Sequence, residues 1–155
     1  MGVGKMATCR ELQKLLSKCV FLDGDWCWDM NPFIATDETK NMVEDNICYI
    51  LNNFLRCSEY ENIIFCWVMH EEYIVKSILS RLNLQNAILY KISLICSEQL
   101  LVERISKDIE SGIRTKDVIA RSVSRLNNYV LMDTIKIDVS NIEPKQAAQQ
   151  IINYI

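Results

Sequence analysis

Gly2-Val3-Gly4-Lys5, followed directly by Met6-Ala7-Thr8-Cys9, is the stretch of the sequence that decides the fold. Its glycines leave backbone N–H groups able to converge on an anion, and its lysine adds a mobile positive charge. Apolar residues at helical spacing come next, so the positive end of a helix dipole would point at the same anion. We therefore expect phosphate to be bound by the segment made of Gly2, Val3, Gly4, Lys5, Met6 and Ala7. The alternative is a flexible N-terminus with an ordinary surface lysine.

This stretch is similar to the second half of the phosphate-binding loop G-x-x-x-x-G-K-[ST], and it departs from that pattern in two places. The chain starts at Met1, in the middle of the loop, so the first half of the loop and the strand leading into it are missing. We expect an N-terminal truncation or a misplaced start codon. Met6 also stands where a Ser or Thr hydroxyl would contact Mg²⁺, and a thioether is a poor ligand for this hard cation.

The composition is that of an ordinary globular chain. Its 155 residues are 50% hydrophobic and 24% charged, which predicts one domain over residues 1–155. A net charge of −3 provides no broad basic field for nucleic acid. The longest apolar run, Ile63–Met69, is too short to span a bilayer, and no signal peptide precedes it. We therefore expect a soluble protein with no nucleic-acid or membrane partner.

Seven cysteines are scattered along the chain without a C-x-x-C pair, and His70 is the only histidine. This combination does not predict a zinc site. Most of the cysteines lie in apolar runs, where thiols behave as small hydrophobic groups. They are expected to be reduced, which indicates a cytoplasmic protein.

Hydrophobic spacing predicts strands and helices in alternation. Helices are expected over Lys5–Ser17, Asp37–Cys57, Glu71–Leu82, Glu98–Glu110, Thr115–Asn127 and from Pro144 onwards; strands are expected over Cys19–Asp23, Ile63–Met69, Ala87–Cys96 and Thr134–Val139, and a loop over Trp26–Phe33. Ser97 and Thr115 are expected to cap helices, and Gly112 to end one. Alternation of this kind requires a parallel sheet covered by helices, so the fold class is α/β. Ligands bind beyond the carboxyl ends of such strands, where Asp23, His70 and Asn141 fall.

These features together resemble the P-loop nucleotide kinase-like family, which includes nucleoside, nucleotide and shikimate kinases. Gly2, Gly4 and Lys5 match its phosphate loop, and Leu22-Asp23-Gly24-Asp25 is similar to the acidic turn after its second strand. The arginine-rich segment between Arg104 and Arg125 is similar to its lid, and Ile137–Asn141 with Pro144 to the last strand and loop, which border the adenine.

The resemblance implies a parallel sheet with helices on both faces, whose first, central strand is missing from this chain. The remaining strands are therefore not expected to pair as one sheet. It also implies a lid over about residues 104–125. The implied activity is transfer of the γ-phosphoryl group of ATP, with Mg²⁺, to the hydroxyl or phosphate of a small acceptor, most simply a nucleoside or nucleotide. The alternative is a non-catalytic nucleotide-binding protein that kept the fold and lost the metal ligand.

The resemblance also implies roles for individual residues. The catalytic candidates are Lys5, Asp25, Arg114 and Arg121. The candidates for nucleotide binding are Gly2, Val3, Gly4, Lys5, Met6, Ala7, Arg104 and Asn141. The candidates for acceptor binding are Asp23, Asp25, Trp26, Trp28 and Arg125, with Asp23 also expected to hold metal-bound water.

Each candidate has a purely structural alternative. Asp-Gly is a favoured turn dipeptide, so Asp23 and Asp25 could serve only the turn. The two tryptophans could pack a long loop, and the arginines could form a solvated helix face. For His70, capping or hydrogen bonding at a strand end is expected rather than catalysis.

Overall fold

The structure, a computed structural model, describes residues 2–85 and 87–155. In chain order its elements are α1 (Lys5–Leu15), β1 (Cys19–Asp23), a 3-10 helix (Gly24–Trp28), α2 (Asp37–Arg56), β2 (Asn62–Cys66), α3 (Glu72–Leu79), β3 (Ile92–Ile95), α4 (Glu98–Glu110), α5 (Asp117–Ser124), α6 (Leu126–Leu131), β4 (Ile135–Asp138) and α7 (Pro144–Ile152). No helix in the described ranges combines the length and the apolar composition needed to cross a bilayer.

All strand pairs in the described residues are parallel. β1 pairs with β2, with Cys19 opposite Asn62 and Asp23 opposite Cys66. β3 pairs with β4, with Ile92 opposite Ile135. Parallel neighbours joined through helices confirm the predicted α/β class. Within the described residues the strands form two separate two-stranded sheets, in agreement with the expectation that they would not pair as one. A central first strand preceding this chain stays a prediction.

The chain divides into two compact units. Unit 1 comprises the residues up to Leu12 together with Tyr90–Ile155, and unit 2 comprises Gln13–Leu89. The prediction of one domain over residues 1–155 stays a prediction. Each unit has its own sheet and its own buried cluster, so each is described by itself.

In unit 1, α4 and α5 meet through a buried apolar cluster. Its fully enclosed members are Leu101, Ile105 and Val118. Leu101 and Ile105 are four residues apart and therefore lie on the same face of α4. Partly buried side chains pack around them: Cys96, Ile109, Ile119 and Leu126. The helices that carry the arginine-rich segment are thus anchored to a core.

In unit 2, one face of α2 packs against β1 and α3. The buried cluster is Leu22, Val43, Ile47, Cys48, Leu51 and Ile78. Val43, Ile47 and Leu51 recur every four residues, which is the apolar stripe of a surface helix turned to the core. Tryptophans flank the cluster, among them Trp28 and Trp67.

Several predicted helix ends are confirmed. The Ser97 side chain accepts a hydrogen bond from the backbone N–H of Leu100 and caps α4. Gly112 follows that helix with a φ of 73°, a value that favours glycine. Pro144 is in the first turn of α7, where its missing N–H costs nothing.

Other predicted boundaries were wrong. The strand expected over Ile63–Met69 ends at Cys66, and the strand expected over Ala87–Cys96 is confined to Ile92–Ile95, with residue 86 outside the described residues. The prediction that Thr115 caps a helix is also wrong. α5 begins after Lys116, which makes no side-chain cap, and the Thr115 hydroxyl donates to the carboxylate of Asp117 instead of accepting from a backbone N–H of the helix.

The loop expected over Trp26–Phe33 partly forms a 3-10 helix, which starts at Gly24. The Asp23 carboxylate causes this, since it accepts a hydrogen bond of 3.0 Å from the backbone N–H of Asp25. Such a bond from an aspartate to the backbone two residues on organises a tight turn.

Gly24 packs directly against Trp67 and leaves no room for a side chain. A Cβ placed on Gly24 would lie 2.5 Å from Cγ and 3.0 Å from Cβ of Trp67. Both atoms are close to the Trp67 backbone and cannot swing away as the far end of a side chain could. Only glycine fits between the end of β1 and the residue after β2.

Gly24→Ala is therefore expected to lower the free energy of unfolding by about 1–3 kcal/mol, the usual cost of overpacking. Urea unfolding followed by circular dichroism measures the change. In the Trp67→Ala background the same substitution should cost at least about 1 kcal/mol less, because Cγ and Cδ1, which would lie 2.5 and 2.7 Å from the added Cβ, are gone. Equal costs in both backgrounds would show that this contact is not the constraint.

Candidate active site

The glycine-rich segment adopts the backbone that an anion-binding loop requires. Gly2 and Gly4 have φ values of 79° and 97°, in the region that glycine favours. α1 starts immediately afterwards at Lys5, and the backbone N–H of Thr8 donates to the carbonyl of Gly4 at 3.0 Å. The first turn of α1 contains no acidic residue. A phosphate at this end would meet backbone N–H groups and the helix dipole without a competing carboxylate.

The two glycines are needed for different reasons. A Cβ on Gly2 would lie 2.6 Å from Cγ1 of Ile105 and 3.2 Å from Cδ1 of Leu101, so the loop rests directly on α4. A Cβ on Gly4 would meet nothing within 4 Å. Gly2 therefore serves close packing as well as backbone conformation, whereas Gly4 serves conformation alone.

Arg104 joins the loop to the end of β4. Its Nη1 donates to the carbonyl of Val3 at 3.3 Å, and its Nη2 donates to the carbonyl of Val139 at 3.0 Å. The planar guanidinium suits two acceptors in one fork. Arg104 was predicted to bind nucleotide; the structure places it beside the loop with two of its N–H groups given to the backbone. The charge remains next to the predicted phosphate position.

A cavity of about 280 Å³ opens beside this arginine. It is lined by Val3, Gly4, Thr8, Arg104, Val139, Ile142, Glu143, Pro144 and Ala147, all of unit 1. The volume lies near the lower limit for ligand pockets, about 300 Å³, and suits one planar ring better than a whole nucleotide. Its lining combines apolar groups with one cation and one carboxylate.

Some residues that line this cavity were not predicted from the sequence. Thr8 is 2% exposed and lies on the buried face of α1 with Leu12, so the i, i+4 pair of Thr8 and Leu12 could have signalled it. Glu143 caps α7, and its position after β4 was the available signal. Of the predicted nucleotide-binding residues, Val3, Gly4 and Arg104 line the cavity, and Asn141 is exposed and does not.

Few side chains of the described residues could serve as ligands for the predicted metal ion. Met6 is in the first turn of α1 and 46% exposed. Within the described residues, no group of three or more His, Cys, Asp or Glu side chains could hold a metal ion. Mg²⁺ commonly binds through nucleotide phosphates and few protein ligands, so it fits this chain as a companion of ATP and not as an ion in a protein cage.

The predicted acceptor residues of unit 2 lie at the end of β1 and in the 3-10 helix that follows it. Asp23 is 3% exposed, and its carboxylate accepts a hydrogen bond from the backbone N–H of Asp25, so part of its role is structural. The Trp26 ring meets Phe21 edge-on at 5.5 Å and is 47% exposed. Trp28 packs on the core of unit 2, with Phe33 at 5.6 Å. Trp26 thus presents aromatic surface, whereas Trp28 mainly supports the fold.

The arginines of the predicted lid meet carboxylates from their own segment. Arg114 Nε lies 2.7 Å from Asp108 Oδ2, and Arg121 Nη2 lies 3.3 Å from Asp117 Oδ2. These contacts hold the side chains near the surface of α4 and α5. Arg104 is separate from them, since its partners are backbone carbonyls.

Arg125 separates α5 from α6 and acts on Tyr129 one turn further on. Burial raises the pKa of Tyr129 to about 12, and the charge of Arg125 partly opposes this. The phenol therefore stays protonated at neutral pH. His70 was expected at the end of a strand, and this position was wrong, because β2 ends at Cys66 and His70 lies in the loop before α3. Its Nε2 lies 3.3 Å from Glu71 Oε1.

Comparisons with known proteins agree with this geometry. Residues 1–128 match the AAA domain family. The tunicamycin resistance protein of Deinococcus radiodurans has a similar structure, with a TM-score of 0.66 at 15% identity over 95% of this chain and 88% of that chain. A "putative kinase" from Chloroflexus aurantiacus aligns with a TM-score of 0.61 at 17% identity over 98% and 89% of the two chains.

No curated protein matches the sequence. At these identities the two structures show the fold alone. The family match covers most of the chain, including the glycine-rich loop, the Asp23–Asp25 turn and the arginine-rich segment. The chain therefore belongs to the AAA domain family and has the P-loop kinase-like fold predicted from its sequence.

Proposed function

We propose that this protein is an ATP-dependent small-molecule kinase that transfers the γ-phosphoryl group to an acceptor, a nucleoside or nucleotide in the first instance. The observation that carries the proposal is the phosphate loop at the start of α1, held by Arg104 beside a cavity of about 280 Å³. An anion site next to a ring-sized cavity of mixed polar and apolar lining suits a nucleotide, because phosphates and base need different surroundings.

In this proposal the nucleotide is held by unit 1. The phosphates would be bound by the ammonium of Lys5 and by backbone N–H groups of Gly2, Val3, Gly4, Met6 and Ala7, at a helix start whose first turn contains no acidic residue. The cavity receives the base, with the Arg104 guanidinium as one wall and Asn141 at its border. Bound Mg²⁺ would neutralise phosphate charge, with Asp23 holding metal-bound water.

The acceptor is assigned to residues of unit 2. Asp25 would accept the proton of the attacking hydroxyl, and Asp23 would support the turn that carries it. Trp26 and Trp28 would line the acceptor site, with Trp26 offering the exposed ring. Arg125, which belongs to unit 1, is also assigned to acceptor binding.

Charge neutralisation in the transition state is assigned to Arg114 and Arg121. Guanidinium groups bind phosphoryl oxygens in two-pronged contacts and stabilise the charge that develops as the group moves. Their carboxylate partners in this structure, Asp108 and Asp117, hold them until a phosphate competes for them. The segment of about residues 104–125 would act as a lid that closes on the nucleotide.

A second candidate function is nucleotide binding without catalysis. The exposed thioether of Met6 favours it, because the helix position that usually supplies a metal-binding hydroxyl has none. The two candidate functions use the same nucleotide site, but only the kinase would turn over ATP.

We also place the protein in the cytoplasm. All seven cysteines are free, and burial raises the pKa of the Cys27, Cys48 and Cys96 thiols. A raised pKa keeps these thiols protonated and therefore unreactive, since the thiolate is the reactive form, and free cysteines of this kind suit a reducing compartment.

The test of the proposal is ATP binding and its dependence on Lys5. Lys5→Met should weaken ATP binding at least about tenfold, because it removes the one mobile cation of the loop. Isothermal titration calorimetry measures the dissociation constant. Lys14→Met, in the last turn of the same helix, is the matched control and should change it less than about twofold. If both variants bind ATP like the wild type, the loop is not the phosphate site.

The two candidate functions separate at Met6. Met6→Thr adds a hydroxyl and should strengthen binding of Mg²⁺-ATP relative to metal-free ATP about three- to tenfold, since it supplies a hard oxygen ligand. Met6→Val has the shape of threonine without the hydroxyl and is the control. Titrations with Mg²⁺ and with EDTA give the ratio. The same ratio in both variants would mean that residue 6 does not face the ion.

The assignment of residues 104–125 as a lid is tested by measuring turnover. Arg121→Ala should lower kcat for ADP formation with nucleoside acceptors about a hundredfold or more, and change ATP affinity less than about threefold, because the charge acts mainly in the transition state. Lys107→Ala, which removes a similar exposed ion pair on α4, should leave both unchanged. Equal losses in kcat and in ATP affinity would assign Arg121 to ground-state binding.

A further inference from the structure

The turn that follows β4 supplies much of the lining of the cavity in unit 1. The lining residues from this turn and from the start of α7 are Val139, Ile142, Glu143, Pro144 and Ala147. The glycine-rich loop contributes Val3 and Gly4 to the same cavity. The position of residues 139–143 therefore sets the space that a ring in the cavity would find.

Ser140 ties this turn to the start of α4. Its Oγ accepts a hydrogen bond of 3.1 Å from the backbone N–H of Ser97, the N-cap residue of α4. The backbone N–H of Ser140 donates to Asp138 Oδ1 at 2.8 Å. The hydrogen bonds that Asp138 receives from the hydroxyl and the N–H of Ser140 lower the pKa of its carboxyl. One serine thus joins the end of β4 to the beginning of α4.

The helix to which Ser140 is tied is itself well fixed. The Ser97 hydroxyl accepts from the backbone N–H of Leu100, and Leu101 is 1% exposed in the core of unit 1. Further along α4, Arg104 Nη2 donates to the carbonyl of Val139, the residue just before Ser140. The turn is therefore held to α4 at two consecutive residues, by two separate hydrogen bonds.

The two attachments differ in what else they hold. Arg104 also donates to the carbonyl of Val3, so its loss would disturb the glycine-rich loop together with the turn. The partners of Ser140 named above, Ser97 and Asp138, belong to α4 and β4, outside that loop. A substitution of Ser140 therefore changes the turn and leaves the phosphate side of the site in place.

We infer that Ser140 is a positioning residue for the nucleotide base, because it holds the turn of residues 139–143 against α4 while the loop around Lys5 holds the phosphates. This inference rests on the proposed function, which assigns the base to the cavity and the phosphates to the loop. Without the Ser140 hydroxyl the N–H of Ser97 loses its acceptor, and the turn is free to move away from the position that fits a ring.

The test compares ATP with tripolyphosphate, which has the same chain of three phosphates and no base. Isothermal titration calorimetry of the full chain with Mg²⁺ gives both dissociation constants. Ser140→Ala should weaken ATP binding at least about fivefold, the usual effect of one lost hydrogen bond, and tripolyphosphate binding less than about twofold. Ser140→Thr keeps a hydroxyl and should bind ATP within about twofold of the wild type.

Ser111→Ala is the matched control. It removes a serine hydroxyl from the other end of α4, where Ser111 Oγ donates to the carbonyl of Lys107 at 2.9 Å, and should leave both affinities unchanged. Asp138→Ala removes the other partner of Ser140 and should also weaken ATP binding selectively. The double variant should lose less than the product of the two single losses, because both substitutions break the same network.

Amide hydrogen exchange measured by NMR checks the contact directly. Exchange of the Ser97 amide should become faster in Ser140→Ala than in the wild type, because this N–H loses its acceptor. It should not change in Ser111→Ala. An unchanged rate for Ser97 in Ser140→Ala would show that the serine does not hold the turn to α4.

The binding results separate this inference from the proposed function. Equal losses of ATP and tripolyphosphate affinity in Ser140→Ala would overturn the inference, and so would unchanged ATP affinity. If Lys5→Met leaves ATP binding intact while Ser140→Ala weakens it selectively, the loop is not the phosphate site and the inference stands. If Lys5→Met weakens both ligands and Ser140→Ala weakens neither, the proposed nucleotide site stands and the inference falls. A wild-type chain that does not bind ATP would refute both.

Discussion

The fork of hydrogen bonds from Arg104 is the interaction on which the site depends. Its two carbonyl partners, Val3 and Val139, are 101 and 35 residues away in sequence. A lysine could keep the charge but has no rigid pair of donors to hold two carbonyls at once. Because the same guanidinium lines the cavity, one side chain fixes the loop, the end of β4 and the wall of the pocket. The geometry of the loop and the geometry of the cavity therefore depend on the same side chain.

Close approach of backbone to side chain is the second constraint, and it recurs in both units. Gly2 lies against Ile105 in unit 1, and Gly24 lies against Trp67 in unit 2. In each case the glycine directly precedes residues assigned a chemical role, the loop around Lys5 and the carboxylate of Asp25. The packing that stabilises each unit thus also positions its functional residues.

Much of this arrangement follows from sequence patterns. The glycines and Lys5 predicted the loop, and the order of apolar runs predicted the α/β class and the order of its elements. The pairing of Arg104 with backbone carbonyls could not be predicted, because nothing local distinguishes it from Arg114 or Arg121, which meet carboxylates.

Element boundaries failed for a related reason. Apolar character continues through Trp67 and Met69, beyond the end of β2, because these side chains pack against the core of unit 2 without belonging to a strand. A hydrophobic run in the sequence indicates buried residues, and buried residues continue past the last residue that is hydrogen-bonded to the neighbouring strand. In the same way, the carboxylate of Asp23 turned an expected loop into a 3-10 helix through one bond that composition does not reveal.

Unit 1 carries a formal charge of +2 and unit 2 a formal charge of −5, and this separation suits the chemistry proposed for them. Phosphoryl transfer needs cations at the phosphates, but a carboxylate that is to take a proton from a hydroxyl is weakened as a base when a cation lies beside it. In unit 1, Arg114 and Arg121 are near carboxylates that a phosphate can replace, since both are anions. In unit 2, Asp23 and Asp25 provide two carboxylates at the end of β1, where the proposal assigns the acceptor. The proposal thus gives the cations to the phosphates and the carboxylates to the acceptor hydroxyl.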